Sequence, residues 1–188
     1  MKIDEIKNKL KASLSEKRFK HLVGVMDTAV ELAQSYGQDV DKAAIAGLLH
    51  DCAREIKGDE LIKTCSKYGI EIDAFYKKQP MLLHGPIGVE VAREVYQIED
   101  LIVLNSIKYH TTGRANMDML EKIIFLADYI EPGRKFKGVE EARKMAFIDI
   151  DRTMLLALDK TISHIIEKEN LIHIDTIYAR NYILYKLQ

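Results

Sequence analysis

Apolar residues recur along this chain at helical spacing, and the strict alternation of a half-buried strand is almost absent. Leu22, Val25, Ala29 and Leu32 form one stripe of a helix predicted over 16–36, with Ser13 or Ser15 as its cap and Gly37 as its stop. Asp39 caps the next helix, whose run of small apolar residues from Ala43 to Leu49 ends in His50 and Asp51. Further helices are predicted over 58–68, 72–77, 84–96, 100–109, 123–130 (with Asn116 or Asp118 as cap), 140–145, 149–168 and 176–187. Gly69 and Gly113 act as stops, Pro86 sits in a first turn, and Pro132-Gly133 ends a helix. Helices joined by short connections, with no repeat and no linker, predict an all-α, single-domain helical bundle with its polar site in the core.

The 188 residues suit one core of useful size. Hydrophobic residues make up 47% and charged residues 30%, a globular balance. A net charge of -1, with the histidines neutral, gives no reason to expect nucleic acid or a membrane surface as partner. The N-terminal stretch is polar and charged, with no signal peptide or long apolar run, so a soluble cytoplasmic protein is expected. Residues 1–17 carry no motif and read as an N-terminal helical cover on a working domain over 18–188. Cys52 and Cys65 have no metal or disulfide spacing, and Cys52 reads as a small filler, not a nucleophile. Tyr178, Tyr182 and Tyr185 are expected to pack within the helical core.

The chemistry concentrates at His50-Asp51. An imidazole and a carboxylate in an apolar helix are costly unless something satisfies them, and a divalent cation does. His21 lies on the buried stripe of its helix, and Asp128 interrupts the apolar run from Ile123 to Ile130. His21, His50, Asp51 and Asp128 are therefore the candidate metal ligands, with His84 and His110 nearby in role. A lone buried histidine is more often a core residue bonded to one carbonyl; the coincidence of six such groups carries the metal reading. His164 and His173 serve as controls and read as exposed or locally capping. Mixed nitrogen and oxygen ligation suits iron, manganese or zinc better than calcium or magnesium.

Arginines accompany these ligands. Arg18 lies one turn before His21, Arg54 one turn after His50, Arg114 just after His110-Thr111-Thr112-Gly113, and Arg134 just after Pro132-Gly133. Arginine suits bidentate contact with phosphate oxygens, and Thr111 and Thr112 add hydroxyl donors. Cations grouped around a metal in a near-neutral chain predict an anionic substrate. No glycine-rich phosphate loop occurs.

The ordered set Arg18-Phe19-Lys20-His21, Gly47-Leu48-Leu49-His50-Asp51, Leu83-His84-Gly85-Pro86, Tyr109-His110-Thr111-Thr112-Gly113, Ala127-Asp128-Tyr129-Ile130-Glu131-Pro132 and Ala179-Arg180-Asn181 resembles the HD-domain superfamily of metal-dependent phosphohydrolases. Within it, the set is similar to the YqeK-type symmetrical diadenosine tetraphosphate hydrolases, which release two ADP. The resemblance implies an iron centre, with manganese, cobalt and zinc as alternatives, and one or two ions. It implies catalytic roles for Asp51, His84 and His110, the two histidines either facing substrate phosphates or completing a second metal position. It implies substrate contacts from Arg18, His21, Arg54, His84, His110, Thr111, Thr112, Arg114, Arg134 and Arg180. The implied partner is a small-molecule dinucleotide; a homo-oligomer stays open. The rival readings are another nucleotide phosphohydrolase of the superfamily (a nucleotidase, a deoxynucleoside triphosphatase or an alarmone hydrolase), a nucleotide sensor that does not cleave, and a purely structural helical protein.

Overall fold

A computed structural model describes residues 1–188 and contains eleven α-helices, one 3-10 turn and no strand. In chain order these are α1 (Ile3–Ser13), α2 (Glu16–Ser35), α3 (Val40–Leu49), α4 (Gly58–Tyr68), α5 (Ala74–Lys78), the 3-10 turn Pro80–Leu83, α6 (His84–Tyr96), α7 (Leu101–Tyr109), α8 (Met119–Ile130), α9 (Val139–Ala146), α10 (Ile150–Glu167) and α11 (Ile174–Leu187).

Local chemistry explains most boundaries. Ser15 accepts the Arg18 amide and starts α2; Asp39 accepts the amides of Asp41 and Lys42 and starts α3. Asp100 caps α7 in the same way, and left-handed Gly69 ends α4. Two boundaries differ from expectation. α8 is capped by Asp118, one of the two expected caps, but its regular turns begin at Met119 and not at 123, because Asp118 and Glu121 form a reciprocal capping box ahead of the apolar run. α3 stops at Leu49, so His50 is its C-cap, and Asp51 and Cys52 lie together in the turn beyond.

One main core of 36 buried residues draws on α1, α2, α3, α6, α7, α8, α9, α10 and α11. The N-terminal segment is helical as expected, and Ile6 and Leu10 are fully buried in that core. A smaller cluster of Ala53, Leu61, Cys65, Leu83 and Ile87 lies under α4. Two glycines set the helix spacing. A methyl group at Gly47 would stand 2.8 Å from Cα of Met26, so α3 and α2 meet backbone to backbone. At Gly85 it would stand 2.6 Å from the Lys108 carbonyl oxygen, where α6 crosses the end of α7.

Candidate metal centre

Six side chains from five places in the chain converge between these helices. His21 projects from the body of α2; His50 and Asp51 follow α3; His84 opens α6; His110 follows α7; Asp128 belongs to the last turn of α8. The helix ends decide the proton positions. A helix leaves its last carbonyls without intrahelical partners. His50 Nδ1 donates to the Gly47 carbonyl at 2.7 Å, and His110 Nδ1 to the Ile107 carbonyl at 2.7 Å. His84 Nδ1 donates to the Met81 carbonyl in the 3-10 turn. With Nδ1 protonated, each Nε2 keeps its lone pair.

Those lone pairs meet one another and two carboxylates. His21 Nε2 lies 3.1 Å from Asp128 Oδ1 and 3.9 Å from Asp51 Oδ2. His50 Nε2 lies 3.7 Å from Asp51 Oδ2 and 3.9 Å from Asp128 Oδ1. On the other side, Asp51 Oδ1 lies 3.1 Å from His84 Nε2 and 3.5 Å from His110 Nε2, which are 2.9 Å apart. Two donors about 2.1 Å from one cation stand roughly 3.0–3.4 Å apart, so both groups fit a divalent ion. The buried Nε2 atoms of His21 and His50 have no hydrogen-bond partner, and His50 is 0% exposed. An acceptor nitrogen without a donor in a closed core is the signature of a ligand atom.

The charge states of His50 and His84 agree, whereas contact with the Asp51 carboxylate outweighs burial and raises His110. Burial pushes the His50 imidazole down to about 4, leaving it neutral and ready to donate its lone pair at neutral pH. Burial also lowers His84. Burial alone would raise Asp51, but the imidazoles of His110, His50 and His84 outweigh it and hold the carboxyl far below the usual range. Asp128 is likewise held ionised, burial being outweighed by His21, His50 and Arg134.

All six residues fall within 18–133, the segment that matches the family model described as HD domain. The chain belongs to the HD domain family. It is 43% identical over 176 residues, 93% of each chain, to a Halalkalibacterium halodurans protein named bis(5'-nucleosyl)-tetraphosphatase, symmetrical. A Bacillus subtilis protein of the same name is 35% identical, with 93% of this chain and 94% of the relative covered. A Clostridium acetobutylicum crystal structure, described as a predicted HD superfamily hydrolase involved in NAD metabolism, superposes with a TM-score of 0.94 at 48% identity, covering 99% and 98% of the two chains.

Around this HD cluster the predicted substrate residues divide. Arg18 Nη1 lies 2.6 Å from Asp51 Oδ2, and Arg134 pairs with the Asp128 carboxylate and bonds its carbonyl at 2.7 Å. Arg54 reaches the Met81 carbonyl at 3.1 Å beside His84, and Thr111 Oγ1 lies 3.0 Å from His110 Nε2. Three others are engaged elsewhere. Thr112 donates to the Gly113 carbonyl at 2.9 Å, and Arg180 bonds Asp159 at 2.8 Å. Arg114 grips Glu121 with two bonds, at 2.7 and 2.6 Å. Glu121 is 0% exposed, so removing its guanidinium strands a buried charge. Arg114→Ala is expected to lower stability by roughly 2–3 kcal/mol in urea unfolding while leaving metal content unchanged. Wild-type stability with a raised KM would return Arg114 to the substrate contacts.

A cavity of about 520 Å³ opens from His110, Thr111 and Asp128. Phe125, Tyr129 and Phe136 line it with aromatic surface, the last two rings 4.9 Å apart. Arg134, Lys137, Lys160 and His164 line it with cationic or basic groups. Lys137, Lys160 and Phe136 are absent from the residues singled out by sequence and come from stretches with no local motif; Tyr129 lies in the motif from Ala127 to Pro132, without an assigned role. His164 is exposed as expected, yet it borders this cavity. His173 caps α11, as expected of a local role. The tyrosines of α11 depart from expectation: Tyr178 is 54% and Tyr185 80% exposed, and Tyr182 bonds Asn116. Their stripe runs along the outer side of the last helix, beyond the core. Its surroundings push the Cys52 thiol up to about 12, which fits a filler.

Proposed function

We propose that this protein hydrolyses diadenosine tetraphosphate symmetrically to two ADP at a divalent-metal centre. The observation that carries the reading is a buried cluster of four imidazole lone pairs and two carboxylates opening into a cation-lined cavity. Near full-length identity to relatives named for that reaction supports the substrate. His21, His50, Asp51 and Asp128 would hold one ion. Asp51, His84 and His110 would hold a second, the 2.9 Å approach of the two histidine nitrogens favouring that role over direct phosphate contact. Iron is the proposed metal, with manganese, cobalt and zinc able to occupy the same donors. When bound, the ion supplies Lewis acidity and brings the pKa of water towards neutrality.

The protein's own groups then do what phosphoryl transfer demands: position and neutralise. Asp51, with one oxygen in each donor group, keeps the two halves in register. Arg18, Arg54 and Arg134 neutralise the phosphates nearest the centre, and Lys137 and Lys160 those further along the cavity. Tyr129 and Phe136 offer a stacking surface for one nucleobase. The cavity volume suits one nucleoside diphosphate half, not the whole dinucleotide. Residues 18–188 carry the activity, with residues 1–17 as the helical cover. No helix is long and apolar enough to cross a membrane, in keeping with a cytoplasmic enzyme.

The test is product analysis. Protein reconstituted separately with Fe, Mn or Co is incubated with diadenosine tetraphosphate, and with nucleoside mono- and triphosphates. Two ADP per dinucleotide is the expected result. AMP plus ATP would overturn the cleavage position, and turnover confined to nucleoside mono- or triphosphates would overturn the substrate.

A further inference from the structure

We infer that Glu131 is the positioning residue that makes His21 a metal donor, and that Gly24 and Gly133 are glycines because its carboxylate fills their space. The inference rests on the metal reading of the cluster but not on the identity of the substrate.

Three of the four histidines settle their tautomers on a backbone carbonyl. His50, His84 and His110 all stand at or beside a helix end, where such carbonyls are free. His21 cannot use this device. It lies inside α2, where the neighbouring carbonyls accept the helix's own amides. Its Nδ1 instead faces Glu131 Oε1 at 3.2 Å. Glu131 follows the last residue of α8, one turn beyond Asp128, so a single helix end delivers both a ligand and the group that aims another.

Glu131 is held as tightly as a ligand would be. It is 6% exposed. Its Oε2 accepts the Gly133 amide, and Arg134 Nε lies 3.8 Å from Oε1. A methyl group at Gly133 would stand 2.8 Å from Oε1, and one at Gly24 would stand 3.0 Å from Oε2. Both glycines clear the volume the carboxylate needs: one across the helix interface, one within its own turn. With Nδ1–H donated to a buried carboxylate, His21 Nε2 is fixed as the acceptor aimed at Asp128.

The experiment titrates metal-free protein with Co2+ and reads stoichiometry, affinity by chelator competition, and the visible d–d spectrum. Glu131→Gln is expected to weaken binding about 10–100-fold and to alter the spectrum. Glu131→Asp, too short to reach His21, is expected to do the same. Thermal melting of the metal-free variants checks that they fold. Gly24→Ala acts on the carboxylate from outside and is expected to weaken Co2+ binding in the same direction, which keeps the test open if a Glu131 variant fails to fold. In a His21→Ala background, Glu131→Gln is expected to cost no further affinity, because the group it aims is gone. Wild-type Co2+ affinity and spectrum in Glu131→Gln, or an undiminished loss in the double variant, would overturn the inference. Failure of the wild type to bind Co2+ would overturn it together with the metal reading. Because no nucleotide enters the assay, a wrong substrate leaves the result intact.

Discussion

Asp51→Ala is expected to lower kcat by at least about 10³-fold and to leave purified protein with little bound metal. Asp51 is the carboxylate that faces both donor groups, Oδ2 towards His21 and His50 and Oδ1 towards His84 and His110. Its loss therefore removes an anionic ligand from each position at once. Asp128 lies nearest His21 and His50 and groups with His110, but it does not join the Asp51–His84–His110 set, so Asp128→Ala is expected to spare part of the metal content while still removing most activity. Both proteins should fold, since truncation removes the buried charge along with its solvation cost. Steady-state kinetics alongside elemental analysis checks the pair. Near wild-type turnover and metal in Asp51→Ala would refute its assignment as a ligand.

Chelation should have the second-largest effect, on activity and stability together. Without a cation, the centre is a cluster of unpaired lone pairs and two ionised carboxylates in a closed core. A ligand that binds only the folded state at about 100 times its Kd adds roughly 2.7 kcal/mol. For a chain of this size that corresponds to a shift in Tm of about 5–10 °C. Dialysis against a strong chelator is expected to abolish hydrolysis and lower the melting temperature by that amount. Stoichiometric divalent metal should restore both. A melting curve indifferent to the chelator, in protein shown to have lost its metal, would mean the core satisfies these groups by itself.

Much of the scaffold is legible in the sequence because several helices start on short polar caps and α4 ends on a left-handed glycine. Asp39 and Asp100 behave as local rules require, and the apolar stripe of α2 points inward. The metal residues are legible for a different reason: polar groups set in apolar runs must have partners, and their order resembles a known pattern. What stays hidden is pairing across space. The resemblance implies substrate contacts for Arg114 and Arg180, and nothing along the chain marks the carboxylates of Glu121 and Asp159 that bond them. Lys137 precedes α9 and Lys160 lies on α10, and only folding brings both to one cavity. Glu131 looks like an acidic residue before a proline until its depth and its contact with His21 are known. At α8 the cap Asp118 is legible, and Glu121 three residues on decides between it and Asn116 as the other half of a reciprocal box.

The bare main-chain contacts at Gly47 and Gly85 make the reactive geometry brittle in a particular way. Each sits within a turn of an imidazole, at Gly47 before His50 and at Gly85 beside His84, and each has neighbouring backbone closer than a methyl group allows. A chain carrying alanine at either position must push one helix away from the other, at a cost in stability. The donor atoms ride on those helices and would slide with them. Such variants are expected to lose ion affinity along with stability.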